Sequence, residues 1–272
     1  GSLVDVSALR EGASTIAEDL CRRDVTMNAL AILLNPLWEV DESLSHGANQ
    51  VEIIDPTDGK KDIQRRMLRL VHAESFVRDP LRMLRAYRFA ATLDFKLGQD
   101  VIISLKGHQH LIRHSAPERI AQELDALMAS PRAYAGIQDM ARDGMLGMLV
   151  PELLAGDGIS QPKSHHLDVF GHNLETLHQL ENILADPQRF FPSLTAHLRA
   201  YLADGHNLLI VKWAALLHDL GKPATRQVNV EKGERVTFHK HEQAGVALFT
   251  AIAQRLRWSK QQRERVAHLI GQ

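Results

Sequence analysis

Apolar and polar side chains alternate through residues 3–9, Leu-Val-Asp-Val-Ser-Ala-Leu, which is the two-residue period of a strand. The next stretch, STIAEDLCRRDVTMNALAILL (residues 14–34), opens on two hydroxyl residues suited to cap a helix. It predicts a helix, or a helix followed by a strand. A further short strand is predicted at residues 51–54, where β-branched side chains precede Asp55-Pro56 and Asp58-Gly59, both turn formers. From residue 61 the period becomes helical. DIQRRMLRLV (62–71), VRDPLRMLRAYRFAA (77–91), PERIAQELDALMAS (117–130) and PRAYAGIQDMARDGML (131–146) space their apolar residues three and four apart. FGHNLETLHQLENIL (170–184), HNLLIVKWAALLHDL (206–220) and HEQAGVALFTAIAQRL (241–256) do the same. Pro151, Gly156, Gly158 and Pro162 interrupt the pattern and predict a boundary between two helical modules. The chain therefore reads as mainly α, and the leading β-containing piece of about 60 residues has too few strands for an independent sheet domain.

Composition agrees with helix packing. Of the 272 residues, 44% are hydrophobic and only 5% aromatic, which disfavours an all-β sandwich. The lone Cys21 cannot form an internal disulfide and points to a reducing compartment. No apolar run approaches the roughly 20 residues that span a bilayer, and the start lacks a signal-peptide pattern. A cytoplasmic location is expected, with no membrane partner. The net charge of −1 gives no hint of a polyanion partner, but residues 60–88 hold nine Lys or Arg against three acids. Such a local excess attracts phosphates, although a solvated helical face has the same composition.

Within that basic stretch, Arg78, Arg82, Arg85 and Arg88 surround a single carboxylate, Asp79. Leu81, Leu84 and Phe89 are placed to face a core. Asp79-Pro80 is a good helix start, with Asp as N-cap and Pro in the first turn. Asp79 and Arg82 also lie three apart and so share a face. A carboxylate acceptor beside a guanidinium donor can read the edge of a nucleotide base. Upstream, Arg22, Arg23 and Asp24 sit together, with Asn28 four residues beyond Asp24. Guanidinium groups bind triphosphates through charge-assisted hydrogen bonds, and an amide can read a sugar hydroxyl. The same residues also describe a capped, salt-bridged helix start.

Taken in order, RRDVTMNALA (22–31), DPTDGKKDIQRRMLRLV (55–71), RDPLRMLRAYRFAA (78–91) and SAPERIAQEL (115–124) resemble the class II tRNA nucleotidyltransferase and bacterial poly(A) polymerase family. The resemblance covers residues 4–150. It implies a remnant of a polymerase-β-like mixed α/β nucleotidyltransferase head (residues 1–60), then a helical neck binding nucleotide and RNA (61–150). In that family an acidic-Asp-x-x-Arg helix serves as a protein template for the incoming C or A. The resemblance therefore gives base reading to Asp79 and Arg82, with a supporting role for Arg85; Arg88, from its charge, reads as merely solvated. Arg23, Asp24 and Asn28 fall among the sugar- and phosphate-binding groups. Arg78 stands where the family has Glu.

Nucleotidyl transfer in that superfamily uses two Mg²⁺ ions held by an Asp-x-Asp pair after a Gly-Gly turn. This sequence contains neither Gly-Gly nor Asp-x-Asp. The expectation is that the chain begins late in the catalytic sheet and that residues 1–272 do not transfer nucleotides by themselves. Asp5 is a candidate third carboxylate, or simply an acid on a strand edge.

The final constellation lies in FGHNLETL, ALLHDLGKP and FHKHEQAG, which contain His172, His218-Asp219 and His239 with His241. Imidazole and carboxylate together suit a divalent transition metal. A capped helix end, with Gly221 terminating it and Pro223 following, accounts for His218-Asp219 equally well. Lys222 is placed to meet a phosphate. The ordered series resembles the HD metal-dependent phosphohydrolase domain over residues 165–272, implying a helical HD domain (151–272) that stops before that domain's usual later Asp. The implied ligands are His172, His218, Asp219 and His241. His108, His110 and His114 also cluster, but no carboxylate accompanies them.

The function implied is that of a tRNA nucleotidyltransferase, CCA-adding or A-adding, passing nucleotides from CTP and ATP to the 3′ end of tRNA. The alternatives are a phosphohydrolase acting through the HD site and a non-catalytic RNA-binding chain.

Overall fold

The computed structural model describes residues 8–9, 12–33, 52–161, 166–229 and 235–272. Of the strand expected at residues 3–9, only Ala8 and Leu9 are described, without regular structure, and Asp5 lies outside the described residues.

Helix α1 (Ile16–Leu20) starts at Thr15, whose hydroxyl accepts from the Glu18 amide at 3.2 Å, while Glu18 accepts from the Ser14 amide at 2.6 Å. A Thr-x-x-Glu sequence offers this kind of reciprocal cap. A 3₁₀ turn (Thr26–Asn28) leads to β1 (Ala31–Ile32), which pairs antiparallel with β2 (Ile53–Ile54). Helix α2 (Gly59–Arg65) follows directly, because Asp55 accepts from the amides of Gly59 (2.7 Å) and Lys60 (2.9 Å). The turn is thus a fixed cap. Buried Asp62 then accepts from the Thr26 hydroxyl (2.6 Å) and from Arg69 Nε (2.9 Å), pinning α2 against the 3₁₀ turn.

The helix expected across residues 62–71 stops at Arg65. Arg66 takes the left-handed conformation (φ 51°), and Met67–Leu68 form β3, parallel to β4 (Lys96–Leu97). Met67, Leu68 and Leu70 satisfy a helical or a strand period equally over so short a run. Asp79 is also placed differently from expectation. It is the extended residue (φ −146°, ψ 98°) joining α3 (Ser75–Arg78) to α4 (Arg82–Leu93), and its Oδ1 accepts from the Leu81 amide at 3.2 Å. Pro80 and Leu81 form the intervening turn, so Asp79 acts as an Asx turn that aims the helix instead of capping it. Leu81 and Leu84 are buried, as their spacing requires, alongside Phe76 and Tyr87.

Helices α5 (Gln99–His108), α6 (Pro117–Met128) and α7 (Ala133–Asp143) complete this half, with α4 packed on both α6 and α7. Gly144, at φ 91°, turns the chain into α8 (Met145–Leu149), and α9 (Pro151–Leu154) follows. The second half comprises α10 (Val169–Ala185), α11 (Pro187–Phe190), α12 (Thr195–Leu202), α13 (Gly205–Leu217) and α14 (Lys222–Thr225). A hairpin, β5 (Arg226–Asn229) with β6 (Arg235–Phe238), precedes α15 (His241–Arg255) and α16 (Lys260–Ile270). The hairpin has no counterpart in the sequence expectation. Mainly α, with three small two-stranded sheets among the described residues, is the observed class.

One apolar core runs through both halves. The halves are also tied by polar groups: Trp213 Nε1 and Gln262 Nε2 donate to Asp125 on α6 at 2.7 and 3.2 Å. Burial holds the Asp125 carboxyl above its usual range, with those two donors opposing it. Among the described residues no helix is long and apolar enough to cross a membrane.

Gly59 marks the tightest approach in the head-side half, since a Cβ there would lie 2.2 Å from the Thr26 carbonyl oxygen. Gly59→Ala is predicted to cost about 1–3 kcal/mol in urea unfolding. Gly107→Ala, on α5 with nothing within 4 Å of the added carbon, should instead stabilise by about 0.5–1 kcal/mol. Equal effects at the two positions would contradict the close-approach argument.

Candidate functional site

A cleft of about 470 Å³ opens where the 3₁₀ turn, the α3–α4 turn, α4 and α6 meet. It is lined by Arg23, Asp24, Asn28, Asp79, Arg82 and Arg85, so all six expected nucleotide-binding residues share one pocket. Asp24 is its hub. Its Oδ1 accepts from the Val25 backbone amide (3.0 Å) and from Asn28 Nδ2 (3.4 Å), and its Oδ2 accepts from Arg85 Nε (2.8 Å). Asn28 reaches Asp24 around a 3₁₀ turn, not along an α-helix as its spacing suggested. Burial alone raises the Asp24 carboxyl, but the Arg85 guanidinium more than offsets it and holds the group below its ordinary value.

Arg85 therefore does not brace Arg82. It joins Asp24 to Glu123 on α6, with Arg85 Nη1 3.7 Å from Oε1. Arg88 is not merely solvated either: its Nε donates to Glu123 at 2.7 Å, and its guanidinium lies over the Phe89 ring. Arg78 is the more exposed member, paired with Glu74 at 3.1 Å. Arg82 donates to two neutral acceptors, the Ser75 hydroxyl (3.1 Å) and the Arg22 carbonyl (3.5 Å). Its charge is held in place without an acid taking it up in those contacts. Asp79 faces Arg119 on α6, 3.6 Å from its Nη2, and remains partly exposed. The cleft thus presents one fixed guanidinium donor and one accessible carboxylate acceptor on opposite sides of a turn, the two polarities needed to read a base edge.

Leu81 also lines the cleft, and Arg119, Gln122 and Glu123, which the sequence reading does not single out, complete it. Their spacing of three and four along PERIAQEL puts them on one face of α6, which was the available signal.

A second site gathers the HD residues. His172 stands in the first turn of α10, His218 at the end of α13 with Asp219 beside it, and His241 at the start of α15. His172 Nε2 and His218 Nε2 are 3.2 Å apart, and Asp219 Oδ2 lies 3.5 and 3.2 Å from them. His241 Nε2 is 3.5 Å from Asp219 Oδ1. The Nδ1 atoms of His218 and His241 face the carbonyls of Ala215 and Phe238 at 3.0 and 2.9 Å. Donation to those carbonyls leaves both Nε2 atoms as ligand lone pairs. The donor set fits a divalent transition metal. Burial raises Asp219, yet His218 and Lys222 outweigh it and leave the carboxyl at about 2. Lys222 meets Asp219 (2.5 Å) and Gln161 (2.7 Å). Gly221 does not end a helix by a left-handed turn, because its φ is −83°. Glycine is required because a Cβ would sit 2.0 Å from the His241 carbonyl, so α15 can approach and deliver its imidazole. His108 faces the Ser104 carbonyl at 2.9 Å, and among the described residues His108, His110 and His114 belong to no ligand cluster.

Residues 3–69 match the poly A polymerase head domain and residues 94–156 the probable RNA and SrmB-binding site of polymerase A, while residues 169–272 match the HD domain. The chain belongs to the tRNA nucleotidyltransferase and poly(A) polymerase family. An A-adding tRNA nucleotidyltransferase from Deinococcus radiodurans is 36% identical over 262 residues, covering 94% of this chain and 52% of the relative. A CC-adding tRNA nucleotidyltransferase from Thermus thermophilus is 34% identical, covering 94% and 51%. A solved tRNA-processing enzyme (apo form I) shares the fold with a TM-score of 0.60 at 19% identity, over 96% of this chain and 55% of that one. The chain spans about half the length of the curated relatives it matches. It is a member of an enzyme family.

The Asp24–Arg85 pair makes a pH prediction. With its folded value lowered, Asp24 contributes stability above its unfolded value of about 3.9, and that contribution is lost as pH falls through the folded value. In Arg85→Ala burial is opposed by the Val25 amide and Asn28 without the guanidinium, so the Asp24 carboxyl rises and that contribution shrinks. The destabilisation by Arg85→Ala should thus be largest near neutral pH and shrink below about pH 4 in urea unfolding. A pH-independent difference would contradict the pairing. For the second site, Mn²⁺ or Ni²⁺ at about 100 times its Kd should stabilise the chain by about 2.7 kcal/mol. His218→Ala should abolish that gain, and an undiminished gain would remove His218 from the ligand set.

Proposed function

We propose that this chain supplies the base-reading and RNA-binding portion of a tRNA nucleotidyltransferase acting in the cytoplasm, which adds nucleotides from CTP and ATP to the 3′ end of tRNA. The observation that carries this reading is the single cleft assembled from residues 23–28, 79–85 and 119–123, with all six anticipated residues on its walls. Asp79 and Arg82 select the base, while Arg23, Asp24 and Asn28 hold sugar and phosphates and Arg85 and Glu123 lock the helices that carry them. Residues 1–60 are the end of the head, 61–150 the neck and 151–272 the HD-type domain in this reading. Mg²⁺ bound in the head supplies the chemistry of nucleotidyl transfer. The HD residues hold a divalent transition metal, and the convergence of His172, His218 and Asp219, with His241 beside Asp219, supports that assignment.

The test uses a protein that joins this chain to a head bearing the Gly-Gly and Asp-x-Asp elements, with tRNA lacking its terminal nucleotides as acceptor. CTP and ATP should be incorporated and UTP and GTP excluded. Arg82→Ala should reduce that discrimination by roughly 5- to 150-fold, the value of one paired base contact of about 1–3 kcal/mol. Unchanged selection in Arg82→Ala would remove base reading from this helix.

A further inference from the structure

A third cavity, remote from both sites, lies where the neck-side helices meet the second half of the chain. It encloses about 440 Å³, within the range of about 300–1,000 Å³ common for small-molecule sites. Its walls are apolar: Pro131 after α6, Leu184 on α10, Leu202 on α12 and Leu208 on α13. Its floor is polar and buried. Lys212, only 2% exposed, donates to the Ser130 carbonyl (2.6 Å) and to Glu181 (3.0 Å). The Ser130 side-chain oxygen, buried beside them, has no hydrogen-bond partner among the described residues. Arg199 lines the cavity from α12, exposed, and enters no ion pair among the described residues.

These features select a ligand. Lys212 and Glu181 neutralise each other, and Glu181 repels an anion from the floor. Burial further disfavours the Lys212 charge. The cation left over is Arg199. An apolar chamber with an uncommitted, exposed guanidinium at its rim suits an amphipathic anion, with its apolar body inside and its charged head on Arg199. A purely structural ion pair explains Lys212 and Glu181 but neither the open volume nor the unpartnered Ser130 hydroxyl. We propose that this cavity binds a small aliphatic or aryl carboxylate, pinning the α6–α7 turn to α10 and α13. Nothing in the nucleotidyl-transfer reading requires such a site, so the two stand or fall separately.

The test is isothermal titration of the 272-residue chain with decanoate and, as its uncharged counterpart, 1-decanol. Decanoate should bind one-to-one, about tenfold more tightly than the alcohol, the value of one charge-assisted hydrogen bond. Arg199→Ala should bring the acid down to the level of the alcohol. Ala203→Trp, on an exposed lining position, should fill the chamber and abolish binding of both without lowering Tm. No saturable binding, equal affinity for acid and alcohol, or undiminished binding to Ala203→Trp would each overturn the proposal. The last outcome would place the ligand elsewhere, for example on the exposed Phe190, Phe191 and Leu194.

Discussion

The hydrogen-bonded ion pair between Asp24 and Arg85 is the contact on which the candidate cleft depends. Asp24 follows a short helix near the start of the chain and Arg85 rides on α4, so one bond joins segments 61 residues apart. Both partners have further obligations. Asp24 also orders the 3₁₀ turn through the Val25 amide and Asn28, and Arg85 extends to Glu123 on α6. A buried carboxylate without a cation is costly, and a guanidinium in a narrow cleft without an acceptor wanders. Each therefore fixes the other. The result is a rigid frame in which Arg82, tied to neutral acceptors among the described residues, keeps its charge available to a ligand.

The second constraint is close approach of backbone, exerted by glycine. Gly59 lets α2 lie against the Thr26 carbonyl, and Gly221 lets the start of α15 lie against the chain after His218-Asp219. Neither adopts a left-handed conformation. In both cases the missing side chain allows a functional turn to meet a helix N-terminus. Polar ties across the middle of the molecule, such as Trp213 to Asp125, then hold the two halves in one body with a continuous core.

Much of this was legible in the sequence. Long, strongly periodic helices such as α10 and α15 are predicted at nearly their observed extents, and the resemblance carried by the motifs names the six cleft residues and the four HD residues. What escaped was contact information. Met67–Leu68 form a strand because Arg66 turns left-handed and β4 is available as a partner, and neither fact is local to the run. The β5–β6 hairpin is short and polar, so its alternation carries little signal. Arg88 reads as solvent-facing from its charge, whereas Glu123 lies 35 residues away and claims it. Gly221 was assigned a helix-ending role because the approach of His241 is a tertiary event. Residue types and spacing revealed which chemistry is present, and packing determined which side chain holds which.

The most direct measurement of the central claim is the affinity of the 272-residue chain for CTP, ATP, UTP and GTP, each titrated alone and then against the Asp79→Ala, Arg82→Ala and doubly substituted chains. The account predicts tighter binding of CTP and ATP than of UTP and GTP. It also predicts that the double substitution costs less than the two single losses added together, because the pair reads one base edge as a unit. Equal affinity for all four nucleotides, or strictly additive losses, would contradict it.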